Sequence, residues 1–490
     1  MNRFISKLLA VALALSPAAW QSVSAAPLAT EDVLPTAPDD PSKKQYKEIQ
    51  DAVVKFQAGD LDGTLTLLEQ AHEKYPELAP AQILLAQMFF KAMSSTTGQK
   101  QAQLLTYGRG ALERAVEKDK NDPDAYLFLG DLAFAQSRLT EAELLFTKAN
   151  DLTNAMDAAN PRKADLHKRC LAGNASVAEA RSNLDEAIKL LTELAETSPD
   201  NPLAHYRHGQ VLFKKKEARS AFEAFKKAVA IKADLGPAGI VMARLFEQAA
   251  QQGDAAARKS ADDWIAYSIS AKQGGKDPLS HLAVARMYWD RDDVANAKKH
   301  AEISLGLDPN SKELKLLLGL IARYEKDLPT AEKLFEEVYK SDPSNFAAAN
   351  QFVISLIDQD DDTRKGRALV IAEANMKDHQ STNFAPTAAA TLGWVYYRLG
   401  RTQDAQKMLQ SAMQAGRGNI SGDTAYYVAK ILIDSGRADD AKALLKTTLQ
   451  GKGPFPYRTD CQAMLAQLEN SSTPVTPDTT PATDSSSPPN

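Results

Sequence analysis

The sequence predicts an all-α fold that grows by stacking, and three observations carry this. Two segments within residues 278–345 match at a spacing of 34 residues: Asp308-Pro309 returns as Asp342-Pro343, Ala285 as Gly319, and Ala297 as Ala331. Between these marks the apolar residues fall at helical spacing, as in Leu314, Leu317, Leu318 and Ile321, then Ala331, Leu334, Phe335 and Val338. The same offsets recur in residues 123–156, 202–235 and 386–421. Each unit therefore reads as two short antiparallel helices, repeated in tandem.

Each marked position has a physical reason. Gly or Ala at the eighth place (Gly130, Gly209, Gly319, Gly393) and Ala at the twentieth (Ala142, Ala221, Ala331, Ala405) let the two helices approach closely. Bulky residues at the eleventh and twenty-fourth places, such as Leu212, Tyr396, Phe146, Phe225 and Phe335, fill the space on either side. Gly59, Gly400 and Gly436 are expected at the inter-helix turn, where a positive φ ends the first helix. Proline at a unit boundary stops the second helix.

These offsets resemble the tetratricopeptide repeat, whose pattern places Leu-Gly, Tyr, Ala, Phe and Pro at fixed positions over 34 residues. The resemblance implies a right-handed superhelical solenoid of about eleven helix-turn-helix units with a C-terminal capping helix. A solenoid stacks repeats rather than closing separate cores, so 490 residues need not mean several domains.

In order along the chain, residues 1–25 resemble a secretory signal peptide. Arg3 and Lys7 give a positive start, residues 8–15 are apolar, Pro17 breaks the run and Val23-Ser24-Ala25 supplies a cleavage site. Removing this segment takes the formal charge from -5 to -7. Residues 26–43, with Pro27, Pro35, Pro38, Pro41 and several acids, read as a flexible leader. The solenoid spans 44–469. Its first unit runs from Gln45 through Gly59 to Pro76. The second, 79–121, is stretched by polar residues near 94–101, expected to lengthen the inter-helix loop. The third is regular. The fourth, 157–201, opens on a long helix carrying Cys170, and the fifth is regular again. The sixth, 237–277, is degenerate: Gly253 and a polar stretch interrupt it, and only the helix around Trp264 and Tyr267 is clear. The seventh and eighth are the matched pair. The ninth, 346–382, carries an acidic insertion, and the tenth and eleventh are regular. A last helix, 457–469, follows Pro454 and Pro456 as the cap. Residues 470–490 are rich in Ser, Thr and Pro and are expected to be disordered.

Composition narrows the function. A pI of about 5.9 argues against a general nucleic-acid binder. No stretch after the leader is long and apolar enough to span a membrane. The two cysteines, Cys170 and Cys461, lie many repeats apart, too far for a bridge in a solenoid. Walker loops, His-Glu-x-x-His, Gly-x-Ser-x-Gly and Cys-x-x-Cys motifs are all missing, so neither catalysis nor a cofactor is expected. His205 and His208 are spaced like metal ligands, but they occupy packing positions with no Cys or acid near in sequence. Asp358, Asp360, Asp361 and Asp362 suggest a calcium loop. Thr363 and Leu369 stand where such a loop needs Gly and Glu, so a solvated acidic loop is expected.

The resemblance also implies that ligands lie along a concave surface made by the first helix of each unit. It assigns that surface to Tyr206, Phe213, Lys214, Arg286, Trp289, Arg323, Tyr324, Trp394, Tyr397, Arg398, Tyr426 and Lys430. Aromatics and Arg are the residue types that dominate interface energy. The paired Lys and Asn of the family's carboxylate clamp are not reproduced, as Asn350 alone matches. The expected function is an exported, non-enzymatic scaffold, periplasmic or extracellular, that holds a protein or an extended peptide segment in this groove. The alternative is a component of a periplasmic assembly that exports or modifies polysaccharide, binding glycan or its machinery.

Overall fold

The computed structural model describes residues 46–93, 98–270, 275–416, 420–451 and 453–471. The signal-peptide and leader segments, and all but the first two residues of the Ser/Thr/Pro-rich tail, lie outside them. The described residues form helices joined by turns, with no strand among them. The chain divides into two compact units at Tyr267/Ser268.

The first unit holds six helix pairs: α1 (Lys47–Gln57) with α2 (Leu61–Lys74), α3 (Ala81–Met93) with α4 (Gly98–Lys118), and α5 (Pro123–Ala135) with α6 (Leu139–Ala155). Then come α7 (Lys163–Ala180) with α8 (Leu184–Thr197), α9 (Pro202–Lys214) with α10 (Ala218–Ile231), and α11 (Ala238–Gln251) with α12 (Ala255–Ser268). The sixth repeat is thus fuller than its sequence suggests. Gly253 does not interrupt it: with φ 107 it makes the inter-helix turn, and Arg258 reaches back from α12 to Glu247 at 2.6 Å. The polar excess of the second repeat goes at least partly into the 21-residue α4 rather than into a loop.

The second unit holds five pairs and a last helix. They are α13 (Pro278–Asp290) with α14 (Val294–Leu307), α15 (Lys312–Tyr324) with α16 (Leu328–Ser341), and α17 (Phe346–Ile357) with α18 (Asp362–His379). They continue with α19 (Ala385–Arg398) and α20 (Thr402–Ala415), then α21 (Gly422–Asp434) and α22 (Ala438–Gln450), and end with α23 (Arg458–Ser471). First helices also touch one another, α15 on α17, α17 on α19 and α19 on α21, so they form one layer and the second helices the other.

One turn is used again and again. In the third repeat Ser137 has φ 59, its N–H donates to the Phe134 carbonyl, and Arg138 N–H donates to Ala133 O at 2.8 Å. This closes the last turn of α5 in a Schellman motif. The same pair of bonds recurs at Ser182, Lys216, Asp292, Lys326, Gly400 and Gly436. The expected glycines are there, and four repeats manage the left-handed residue with Ser or Lys and one with Asp. An acid or amide then caps the second helix: Asp60, Asn183, Asp293 and Asp327 each accept from a backbone N–H three residues on.

The glycine at the eighth place makes room for a ring. A Cβ added at Gly130, Gly209 or Gly319 would lie 2.6, 2.7 or 2.5 Å from the ring of Phe146, Phe225 or Phe335. Those three rings are fully buried. In the seventh repeat Ala285 is tolerated because its counterpart is Ala301.

Candidate partner-binding face

In the first unit, Tyr206 and Phe213 sit half-buried on α9. The Tyr206 ring meets Phe225 edge-on at 5.2 Å, and Phe213 meets Phe246 at 4.7 Å. Burial pushes the Tyr206 hydroxyl up. Lys214 is exposed at the end of the helix. His205 and His208 go to the fold: His205 Nε2 lies 3.1 Å from the Pro199 carbonyl, and His208 Nε2 lies 3.3 Å from Thr192 Oγ1. Beneath this face runs a buried ionic line that sequence spacing does not signal. Asp124 on α5 binds Arg162 and Arg169, Asp122 accepts from Arg162 at 2.7 Å, and Arg207 on α9 binds Glu179 and Ser176. Burial pushes the Asp124 carboxyl up, but Arg169 and Arg162 outweigh it and hold it below the usual range. Such pairs are costly to break, because a lone buried charge remains.

In the second unit the candidates divide. Trp289 and Tyr324 are half-buried and meet edge to face at 5.9 Å, joining the ends of α13 and α15. Arg286 pairs with Glu313. Lys430 is half-buried and has no ion-pair partner within 4.0 Å among the described residues. Tyr397 is half-buried and donates to Asp434, and burial with that bond pushes its hydroxyl up to about 12.

Arg323 and Trp394 do not face solvent. Each is 2% exposed. Arg323 Nη1 donates to Gln351 and, at 3.2 Å, to Asp423 on α21, a residue 100 positions away. Burial pushes the Asp423 carboxyl up, against the pull of Arg323. Trp394 is stacked between Tyr397 at 5.2 Å and Tyr427 at 4.7 Å, and its Nε1 donates to Asp358 at 3.0 Å. Arg398 lies 3.5 Å from the same Asp358, and Tyr426 stacks on Tyr457 at 4.2 Å.

Asp358 corrects the reading of the acidic run. Its side chain is only 11% exposed and gathers Trp394, Arg398 and Tyr457. The solvated part is Asp360 and Asp362, with side chains 91% and 104% exposed, while Asp361 caps α18 through Arg364 N–H at 2.7 Å. Among the described residues no group of three or more His, Cys, Asp or Glu side chains is placed to hold a metal ion. Nor is any helix among them long and apolar enough to cross a membrane.

The tetratricopeptide repeat family profile matches residues 108–159, 173–237 and 282–346, covering repeats in both units. The chain thus carries tetratricopeptide repeats. A tetratricopeptide repeat-containing protein of Pseudomonas aeruginosa is 26% identical over 215 residues, which cover 43% of this chain and 34% of that relative. The match thus spans about a third of the relative's length. Among solved structures, a thermophilic tetratricopeptide protein of Thermus thermophilus aligns at 15% identity with a TM-score of 0.33, covering 39% of this chain and 99% of that one. A chain of the APC/C hetero-tetramer Cut9–Hcn1 aligns at 10% identity with a TM-score of 0.37, covering 85% and 95%. Tetratricopeptide repeat proteins generally serve as non-enzymatic scaffolds for protein–protein interaction.

Proposed function

We propose that this protein is an exported, non-enzymatic scaffold that holds a protein partner along its first-helix layer. The observation that carries this is the Trp289–Tyr324 pair. Two large aromatic side chains from successive first helices stand half open to solvent, where an aromatic anchor loses little conformational freedom on binding. Lys430 on the same layer, and Lys214 on that of the first unit, add positive charge suited to an acidic partner segment. A rigid stack lets an extended segment cross several repeats with little ordering cost. Export to the periplasm or outside the cell is supported by the charge, apolar run and cleavage-site pattern of residues 1–25.

The test is crosslinking and recovery from the cell envelope, comparing the wild type with a Trp289→Ala/Tyr324→Ala variant of unchanged helicity. Loss of either anchor should cost about 2 kcal/mol of binding. A protein recovered equally by both chains would remove this layer from the interface. Recovery of polysaccharide without protein would replace the scaffold reading by a glycan-binding one.

A further inference from the structure

The chain places part of itself on the first-helix layer of the second unit. Between α22 and α23, residues 453–457 (Gly-Pro-Phe-Pro-Tyr) run without helical structure past the ends of three first helices. A Cβ on Gly453 would lie 3.9 Å from the Asp290 carbonyl at the end of α13. Lys326, in the turn after α15, donates to Pro456 O at 3.3 Å and pairs with Asp460. The Tyr457 hydroxyl donates to Asp358 at the end of α17. Its ring lies under Arg323 at 5.2 Å and on Tyr426 at 4.2 Å. Phe455 lies flat on Gly422 at the start of α21, where a Cβ would come within 2.5 Å of the ring.

This is how a bound peptide would be held. Side chains from successive repeats do the holding, and Pro454 and Pro456 remove two backbone donors that the helices could not pair. Several of the residues involved are ones that the family resemblance assigns to ligand: Arg323, Trp394, Arg398 and Tyr426 all touch Tyr457 or the Asp358 that binds it. The fit is also incomplete. Arg323 Nη2 and Asp423 Oδ1 are buried and have no partner among the described residues. A segment anchored at both ends by α22 and α23 cannot shift to meet them, whereas a separate peptide can.

We propose that this layer is a peptide-recognition site filled in cis, and that its ligand in trans is a partner segment of the same chemistry: an aromatic, a proline and a tyrosine, with an acid three residues further on. Asp358 reads the tyrosine hydroxyl, Arg323 and Tyr426 hold its ring, and Lys326 reads the acid. The inference rests on the scaffold reading and names the kind of segment the scaffold accepts. The internal copy competes at the high effective concentration of a tethered ligand, so the wild-type chain is largely closed to the partner.

The experiment uses the full chain and a fluorescent peptide of residues 453–460, followed by anisotropy. Tyr457→Ala takes the internal ring out of the site. It should bind the peptide at least ten-fold more tightly than the wild type, and adding Lys326→Met should reverse most of that gain. Asp460→Asn, at a partly exposed position, loosens the segment without touching the core and should give about a three-fold gain on its own. If Tyr457→Ala does not fold, Asp460→Asn decides. Equal binding by wild type and Asp460→Asn, or no binding by a folded Tyr457→Ala chain, overturns the proposal. A chain that captures its envelope partner through Trp289 and Tyr324 but never takes up the peptide refutes the cis-filled site and leaves the scaffold standing. Peptide uptake with partner capture indifferent to Trp289 and Tyr324 does the reverse.

Discussion

Replacing Gly319 by Ala tests the packing rule that the third, fifth and eighth repeats share. The new Cβ would stand 2.5 and 2.6 Å from Phe335 Cε1 and Cζ and 3.0 Å from Cδ1. Phe335 is fully buried between Gly319 and its neighbours in the core, so its ring cannot swing away. Overpacking of this kind costs about 3 kcal/mol, at the upper end of its range because three ring atoms are struck together. Ala gains back about 1 kcal/mol over Gly in a helix interior. The net expectation is a loss of about 2 kcal/mol. Gly366 is the control. It lies in α18 with nothing within 4 Å of a built Cβ, so Gly366→Ala should stabilise by about 1 kcal/mol. The assay is urea unfolding by circular dichroism, with hydrogen exchange of α15 and α16 to localise the effect. The same chemical change should act with opposite sign at the two sites. A Gly319→Ala chain as stable as the wild type would refute the argument, since it would mean that the ring moves at no cost.

Three further outcomes follow from the geometry. Lys216 holds a positive φ of 67 in the turn after α9, so Lys216→Gly should stabilise by about 0.5–1 kcal/mol, and a lower urea midpoint would contradict the turn assignment. His281 Nε2 faces the Gly275 carbonyl, so its Nδ1 accepts from His300 Nδ1 at 3.1 Å, and burial beside His281 and Lys299 holds His300 down to about 4. The unfolded imidazole takes up its proton near pH 6.5, so this contribution is complete above that pH and falls by roughly 3 kcal/mol as pH drops toward 4; the extra acid sensitivity should vanish in His300→Gln, and parallel pH profiles for the two chains would refute it. Cys170 and Cys461 are buried free thiols, pushed up by burial to about 11 and 12, so neither should react with iodoacetamide at pH 8 until urea is added; rapid labelling of the native chain would place a thiol at the surface.

The architecture was legible because its determinants are local. Gly130, Gly209 and Gly319 announce the ring that sits on them, sixteen residues later in each case. Turns made by Ser137, Ser182, Lys216, Asp292 and Lys326 were not legible, because a residue forced to positive φ by its neighbours carries no mark of it. The sixth repeat read as broken because Gly253 and the polar residues around it looked like an interruption, whereas Gly253 makes the inter-helix turn. The candidate face was legible by position but not by exposure. Whether Arg323 and Trp394 face solvent depends on Asp423, Tyr427 and Tyr457, which lie in other repeats, and a repeat pattern says nothing about them. Asp358 was misread because a run of acids looks alike along its length, while its partners Trp394 and Tyr457 stand 36 and 99 positions away.

The ties from Arg323 to Asp423, from Lys326 to Asp460 and from Tyr457 to Asp358 bear on how the protein is made. Charged links in the first unit, such as Arg169 to Asp124 and Arg207 to Glu179, join neighbouring repeats, so that unit can settle repeat by repeat as the chain leaves the ribosome. In the second unit, α15 and α17 carry polar groups whose partners are synthesised about a hundred residues later. Its first-helix layer therefore completes its bonding only after Tyr457 has emerged, and until then a nascent chain presents Arg323, Asp358 and Trp394 unsheltered to whatever chaperone it meets.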